Sequence, residues 1–480
     1  MYILVELRNG AQFVGTGLLI NAAQRLLAGQ DPSPPMNSFV NENQSLPFEI
    51  DTSAGAVAIG DGGGAIATLE KLIPENSNAF IVRAYINATS VGEIRKLLGD
   101  RKLGDLKFYS DPPIAKLLTC GKSRYVKGTA DVQSKLEAQR LWNKGLDGSR
   151  VAIAIVDTGI SLKRLQRPLG ELTDIATPAT SIQYSWTPPT VTSEPFKHRV
   201  GHGTMCAYDA LIAAPKATLL DVAMLLFRPY ADHTVPSTVF AALAAYSFLA
   251  NLWQTWLAMG ASSPFQALVV NNSWGIFHPF LDPFLPGDQN RFIDNPDHAL
   301  RKYFVIPMID KGVDIIFASN NCGPECTSAT CLGSSDGMIM AMNAYEEVLT
   351  VGGCDVNRDR VGYSSMGPSI IGMKTPTTGT DKPDITAYTH FLGSKTRQVW
   401  LPDAGVSAAC AVASGCVAAL RSGKPSPATS TATMFQALRD KALKGNSSGT
   451  GGGGGTYSTD YGCGIINPVE AGIRLGLSIP

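Results

Sequence analysis

The chain has 480 residues, of which 44% are hydrophobic and 17% are charged. This composition is typical of a globular protein with a sizeable core, and the length allows more than one domain. Lys plus Arg and Asp plus Glu both number 40, so the formal net charge is zero. Because a nucleic-acid-binding surface needs a basic excess, we expect no nucleic-acid partner.

The first 120 residues combine strand and helix patterns. Residues 28–65 are rich in Pro, Asn, Ser and Gly, and they are predicted to form loops. Ser90 and Glu93 have the spacing of a capping box at a helix start. We predict a small α+β domain over residues 1–120, with strands at Tyr2–Leu7, Ala79–Ile86 and Leu106–Ser110 and a helix at Ser90–Leu98.

A different pattern begins after a predicted linker at residues 121–145. Apolar, β-branched runs without alternation indicate strands that are buried on both faces, and they alternate with helical segments. This alternation predicts an α/β fold over residues 146–480, with a doubly wound, mostly parallel sheet. The predicted strands are Val151–Val156, Thr218–Leu226, Ala267–Val270, Asp314–Ala318 and Val348–Val351, and the helices include 239–259 and 294–311. Gly449–Gly455 is predicted to be a flexible loop.

Val239–Met259 is an uncharged run that is long enough to span a membrane. Polar residues such as Asn251 and Gln254 interrupt it, and a turn and a strand follow, which favours a buried helix and no membrane association. The chain start, Met1–Arg8, has neither the basic leader nor the apolar core of a signal peptide. We therefore expect a cytoplasmic location.

Three short motifs carry residue types that nucleophilic acyl transfer requires. They are Val-Asp-Thr-Gly at Asp157, Gly-His-Gly-Thr at His202 and Gly-Val-Ser-Ala-Ala at Ser407. A serine hydroxyl needs a base to take its proton and a third group to orient that base. Asp-Thr-Gly also occurs in aspartic proteases, but their chemistry needs two carboxylates, and only one such tripeptide is present.

The order Asp, His, Ser is the order found in subtilisin, and residues 146 to 472 resemble the subtilase family of serine proteases. The resemblance implies a subtilisin-like fold and assigns Asn321 to the oxyanion. It also implies substrate-binding roles for Ser273, Trp274, Gly275, Ser319 and Asn320. Three positions depart from the family pattern, because Val406 replaces Thr, Cys410 replaces Pro and Asn320 replaces Gly. Asn320 would then need a backbone conformation that Gly prefers.

The resemblance implies a serine endopeptidase that acts on peptide or protein substrates through an acyl-enzyme. A peptide-processing transferase or macrocyclase, and a catalytically silent peptide-binding module, are the alternatives. Residues 1–120 would correspond to a propeptide-like domain, with possible intramolecular inhibition. No cofactor or metal is predicted; calcium is frequent in the family, but no acidic loop can be assigned to it.

Nine cysteines without an export signal favour reduced thiols. Cys322, Cys326 and Cys331 cluster after the predicted oxyanion residue, and Cys354 follows. A zinc site, a disulfide and loop-bracing thiols are all open for this cluster. A catalytic Cys410 is a further alternative, although no second histidine motif accompanies it.

Overall fold

A computed structural model provides the architecture of the chain. It describes residues 2–8, 48–51, 54, 56–59, 79–86, 106–116, 126–165, 178–189, 191–199, 201–226, 237–276, 278–282, 291–325, 331, 338–370, 381–394, 401–446 and 456–480. The predicted helix at Ser90–Leu98 and the glycine run at Gly449–Gly455 lie outside these residues.

The described residues contain short and long strands and helices. The strands are β1 Tyr2–Arg8, β2 Phe48–Ile50, β3 Ala56–Ala58, β4 Ala79–Ile86, β5 Lys107–Ser110, β6 Ala115–Lys116, β7 Val151–Val156, β8 Thr218–Val222, β9 Ala267–Asn272, β10 Trp274–Gly275, β11 Asp314–Ala318, β12 Leu349–Cys354 and β13 Ile385–Tyr388. The α-helices are α1 Thr129–Lys135, α2 Ala138–Trp142, α3 Leu162–Leu165, α4 His202–Leu211, α5 Val239–Met259, α6 Ile306–Asp310, α7 Val406–Gly423, α8 Thr431–Asp440 and α9 Pro468–Arg474.

The chain divides into two compact units. The first comprises Met1–Pro113, Arg228–Met259 and Pro279–Pro307. Its antiparallel sheet has the order β2-β4-β1-β5, and β3 also pairs with β4. The long helix α5 packs against β3, so this unit combines the predicted N-terminal strands with two later segments of the chain.

The second unit comprises Ile114–Phe227, Gly260–His278 and Met308–Pro480. Its six-stranded sheet has the order β13-β12-β11-β9-β7-β8, and every neighbouring pair is parallel. Since β8 lies on one side of β7 and β9 lies on the other, the direction of winding reverses at β7. Ligand sites of open α/β sheets lie at the carboxyl ends of strands beside such a reversal.

Helix α7 is the central helix of the second unit. It packs against α4 and against β7, β9, β11, β12 and β13. The helix is long and apolar enough to cross a membrane, but its residues from Val406 to Arg421 are all buried. Gly415 permits its close crossing with α4, because a Cβ atom there would lie 2.1 Å from the carbonyl oxygen of Ala210. This crossing brings the starts of the two helices together.

The doubly wound α/β fold is confirmed, and several elements differ from their predicted bounds. The predicted strand Thr218–Leu226 ends at Val222, and Met224–Leu226 forms a 3-10 turn. The predicted helix 294–311 begins later, with a π-helical turn at Arg301–Val305 before α6. The short strands β2 and β3 lie in the range 28–65 that was predicted to be loop, and α1 and α2 lie in the range 121–145 that was predicted to be a linker.

Candidate active site

The structure brings Asp157, His202 and Ser407 together in the second unit. Nδ1 of His202 lies 2.8 Å from Oδ1 of Asp157 and 2.9 Å from Oδ2. Nε2 of His202 lies 3.1 Å from Oγ of Ser407. Asp157 and Ser407 are fully buried, whereas the side chain of His202 is 12% exposed. The imidazole can therefore take the serine proton while the carboxylate orients it.

The Asp157 backbone is fixed at the carboxyl end of β7. Its N–H donates to the carbonyl oxygen of Val222, and its carbonyl oxygen accepts from the N–H of Leu225. Thr158 links this turn to α4, because its hydroxyl accepts the N–H of Gly203 at 3.1 Å. The turn that carries the carboxylate and the helix that carries the imidazole are thus joined directly.

Ser407 lies in the first turn of α7, where a helix N-terminus favours developing negative charge. Gly405, the residue before the helix, has a φ of 88°, which a side chain would strain. Its N–H donates to the hydroxyl of Tyr363 at 3.1 Å, and its carbonyl oxygen accepts from the hydroxyl of Thr389 at 2.7 Å. Burial raises the pKa of Tyr363 to about 12, so its hydroxyl stays neutral. No sequence motif pointed to Tyr363 or Thr389, because they reach Gly405 only through the tertiary fold.

Asn321 follows β11 and lies next to the serine segment. Its side-chain Oδ1 accepts the N–H of Val406 at 2.9 Å. Its Nδ2 is buried and has no hydrogen-bond partner among the described residues. A buried donor without an acceptor is costly in a resting protein, and it suits an oxyanion that exists only during the reaction.

Ser319 and Asn320 precede Asn321 and are also buried. Asn320 has a φ of 89°, in agreement with the conformation expected from the sequence. Its Nδ2 donates to the carbonyl oxygens of Ile276 and Met338, both at 3.1 Å, and its Oδ1 accepts the N–H of Asn321 at 2.8 Å. These bonds fix the backbone beside Asn321, and the substrate-binding roles of Ser319 and Asn320 stay predictions.

The segment after β9 contains the other three predicted substrate-binding residues. The hydroxyl of Ser273 donates to the carbonyl oxygen of Ser407 at 3.2 Å. Trp274 is buried, and its ring packs edge-on against Phe317 with 5.3 Å between the ring centroids. Trp274 and Gly275 form β10, which pairs antiparallel with β6 at Lys116 and Ala115. A segment of the chain itself therefore pairs with this strand, and the substrate-binding roles of Ser273, Trp274 and Gly275 stay predictions.

The cysteine predictions have two outcomes. Cys322 and Cys331 form a disulfide with a Cα–Cα distance of 5.7 Å. The expectation of reduced thiols is wrong for this pair, and the disulfide alternative is confirmed. These two sulfurs are then not thiolate ligands for zinc.

The alternative of a catalytic Cys410 is not favoured by its surroundings. Cys410 is buried, which raises the pKa of its thiol to about 12 and leaves it a poor nucleophile.

Two triad residues and Cys206 form a group of metal-ligand types. Ligand atoms of Asp157, His202 and Cys206 lie within 4.8 Å of one another. Burial raises the pKa of the Cys206 thiol well above its usual range, so the thiolate that a metal prefers is disfavoured. This donor set fits a histidine–carboxylate pair better than a metal centre.

Comparison with known protein families agrees with this geometry. A family model described as the subtilase family, peptidase S8, matches residues 148–464. Among solved structures, the chain is similar to MycP1 from Mycobacterium smegmatis, with 17% identity and a TM-score of 0.43 over 76% of this chain and 90% of that chain. No curated protein matches. Because the family model spans more than half of the chain, the protein belongs to the subtilase family of serine proteases.

Proposed function

We propose that this protein is a serine endopeptidase that cleaves peptide bonds through an acyl-enzyme. The observation that carries the proposal is His202, which bridges Asp157 and Ser407 beside the unpartnered Nδ2 of Asn321. Nε2 of His202 takes the hydroxyl proton as Oγ of Ser407 attacks the peptide carbonyl. The side-chain Nδ2 of Asn321 then donates to the oxyanion, and His202 returns the proton to the leaving amine. Water, activated by the same imidazole, releases the acyl group.

A fluorophosphonate probe and a peptide library test this proposal. We expect the probe to label wild-type protein at Ser407 and to leave Ser407→Ala unlabelled, and we expect wild type alone to cleave library peptides. Product masses then separate the two acyl-transfer outcomes, because hydrolysis adds water and cyclisation does not. If Ser407 stays unlabelled even when the pairing of β6 with β10 is weakened by Ala115→Pro, the silent peptide-binding module is favoured instead.

We also propose that the N-terminal part of the chain inhibits the site in cis. The pairing of β6 with β10 supports this proposal, because β6 uses the main-chain groups that an extended substrate would use. Replacing Ala115 by Pro should weaken this pairing, because proline has no backbone N–H and is poorly tolerated within a strand ladder. We expect the variant to react faster with the probe than wild type does, and Ala115→Ser serves as the matched control. Equal rates for the two variants would contradict inhibition by this strand.

A further inference from the structure

Two buried carboxyl groups lie close to the triad and take no part in the proposed reaction. Asp209 belongs to α4 and Asp403 precedes Gly405, and the side chains are fully buried or nearly so. The carboxyl groups of Asp209 and Asp403 are within hydrogen-bonding reach of each other. Such a bond requires a proton on one of them, because two carboxylates have no donor between them.

The surroundings show which carboxyl carries the proton. Asp403 accepts the hydroxyl of Ser394 at 2.6 Å and also the backbone N–H of Ser394. Neither carboxylate oxygen of Asp209 accepts a hydrogen bond from an N–H group or a hydroxyl group of the described residues. Charge is thus stabilised on Asp403, and Asp209 is the protonated partner. Burial and the facing carboxyl raise the pKa of Asp209 well above its usual range, and burial raises the pKa of Asp403 to about 6.

Among the described residues, Cys206 is an ionisable group that interacts with this pair. Cys206, on the same helix as Asp209, interacts with Asp209 and with Asp157. Its thiol is buried and its pKa is raised well above the usual range, so it brings no charge. The electrostatics of the pair are therefore governed by one proton and two carboxyl groups.

The position of the pair connects the two halves of the triad. Asp209 lies on the helix that begins with His202. Asp403 is fixed by backbone bonds, since its N–H donates to Phe391 and its carbonyl oxygen accepts from His390, and Ser407 follows it closely in the chain. A bond between the two carboxyls therefore joins the helix of the base to the segment of the nucleophile.

We propose that Asp209 and Asp403 are positioning residues that share one proton and thereby hold the His202 helix against the Ser407 segment. The inference rests on the proposed function for its catalytic consequence. When high pH transfers this proton to solvent, two buried anions remain and repel each other. The repulsion would separate Nε2 of His202 from Oγ of Ser407.

The sign of the pH dependence follows from the raised pKa values. Protonated carboxyls are favoured in the folded state, so their contribution to stability is complete below the unfolded pKa and is lost as pH rises through the folded pKa. For Asp403 this window runs from its ordinary value of 3.8 to about 6. The contribution of Asp209 extends the loss further into the neutral and alkaline range.

Asp209→Asn tests the proposal, because an amide donates to Asp403 at every pH. Stability is measured by denaturant unfolding in the Ser407→Ala background, from about pH 4 to about pH 9. We expect the stability of the parent to fall as pH rises and expect Asp209→Asn to remove most of this fall.

Probe labelling in the background that keeps Ser407 is the second measurement. The labelling rate of Asp209→Asn divided by that of wild type should rise about tenfold between about pH 6 and about pH 9. Asp209→Leu, which has no donor, is the control and should label more slowly than Asp209→Asn at every pH.

Two results would overturn the inference. One is an unfolding free energy that changes with pH in parallel for the parent and for Asp209→Asn. The other is equal labelling by Asp209→Asn and Asp209→Leu. The unfolding measurements do not depend on catalysis. If Ser407 is never labelled, only the proposed function fails. The shared proton between Asp209 and Asp403 is then still tested by the unfolding free energies.

Discussion

Asn321 divides its carboxamide between two tasks. Oδ1 holds the N–H of Val406, and Nδ2 is left without a partner among the described residues. One side chain thus supports the serine segment and, in the proposed mechanism, donates to the oxyanion. The two tasks can be separated by substitution, because Asp keeps the acceptor and loses the donor.

Asn321→Ala and Asn321→Asp should both lower kcat by about 10²- to 10³-fold, with KM nearly unchanged, because the lost bond exists only in the transition state. Steady-state kinetics on a peptide identified from the library measure this. Thermal unfolding of both variants supplies the control, because it separates a general loss of stability from the loss of the donor. A loss confined to KM, or full activity in Asn321→Asp, would remove Asn321 from the oxyanion role.

Individual site residues were predictable where a local motif marks them. Asp157 ends a buried apolar run, and His202 lies between two glycines at a helix start, so residue type and setting agreed. Tyr363, Asp209 and Asp403 had no such signal. Their partners are far away in the chain, and a lone Asp or Tyr in sequence does not reveal the group that it will face after folding.

Helix α7 is anchored at its far end by a buried ion pair. Nε and Nη2 of Arg421 each lie 2.6 Å from an oxygen of Asp314 in β11, and both side chains are fully buried. Nη1 of Arg421 also donates to the carbonyl oxygens of Lys424 and Thr429. The pair therefore fixes the axial position of the helix whose first turn carries Ser407.

Arg421→Met should destabilise the fold by about 3–5 kcal/mol, because it leaves the Asp314 carboxylate buried and unpaired. Denaturant unfolding in the Ser407→Ala background measures this loss. The double variant Arg421→Met with Asp314→Leu removes both charges, and we expect it to recover part of the stability. A single variant as stable as its parent would show that the pair is not a stability determinant.

The bounds of strands were predicted best where the apolar run in the sequence has the same length as the strand in the structure. Val151–Val156 and Asp314–Ala318 match their predicted bounds because each is an isolated run that polar residues or turns delimit. The strand predicted at Thr218–Leu226 was too long, since its apolar run continues into a buried 3-10 turn. Apolar sequence reports burial, and burial does not distinguish an extended strand from a tight turn.

The first unit is assembled from three separate stretches of the chain. Arg83 is fully buried and binds Asp111 at 2.7 Å, and the other carboxylate oxygen of Asp111 accepts the N–H of Phe240 in α5 at 2.8 Å. Glu6 is equally buried and accepts the hydroxyl of Tyr303 at 2.8 Å. The N-terminal part of the first unit thus provides hydrogen-bond partners to Phe240 and Tyr303, which follow it by more than a hundred residues. Its strand β3 also packs against the apolar helix α5.

Deleting residues 1–113 should therefore leave a protein that aggregates or unfolds without cooperativity. The deletion strips the N-terminal sheet from the apolar helix α5 and removes the partner of the Phe240 N–H. Size-exclusion chromatography and denaturant unfolding measure this outcome. As a control, a full chain cut at a protease site inserted within residues 117–125 should keep both fragments together. A monomeric residue 114–480 fragment with cooperative unfolding would contradict the prediction.

The pairing of β6 with β10 has a consequence for how strongly any external peptide can compete. A segment tethered to its own binding strand acts at an effective concentration on the order of millimolar. An external peptide must exceed this local concentration, or bind correspondingly more tightly, before it occupies the strand. Under the proposal of inhibition in cis, the apparent affinity for substrate is reduced in proportion to the fraction of time for which β10 is free. Weakening the pairing of β6 with β10 would therefore raise the apparent affinity for substrate without altering the contacts among Asp157, His202 and Ser407.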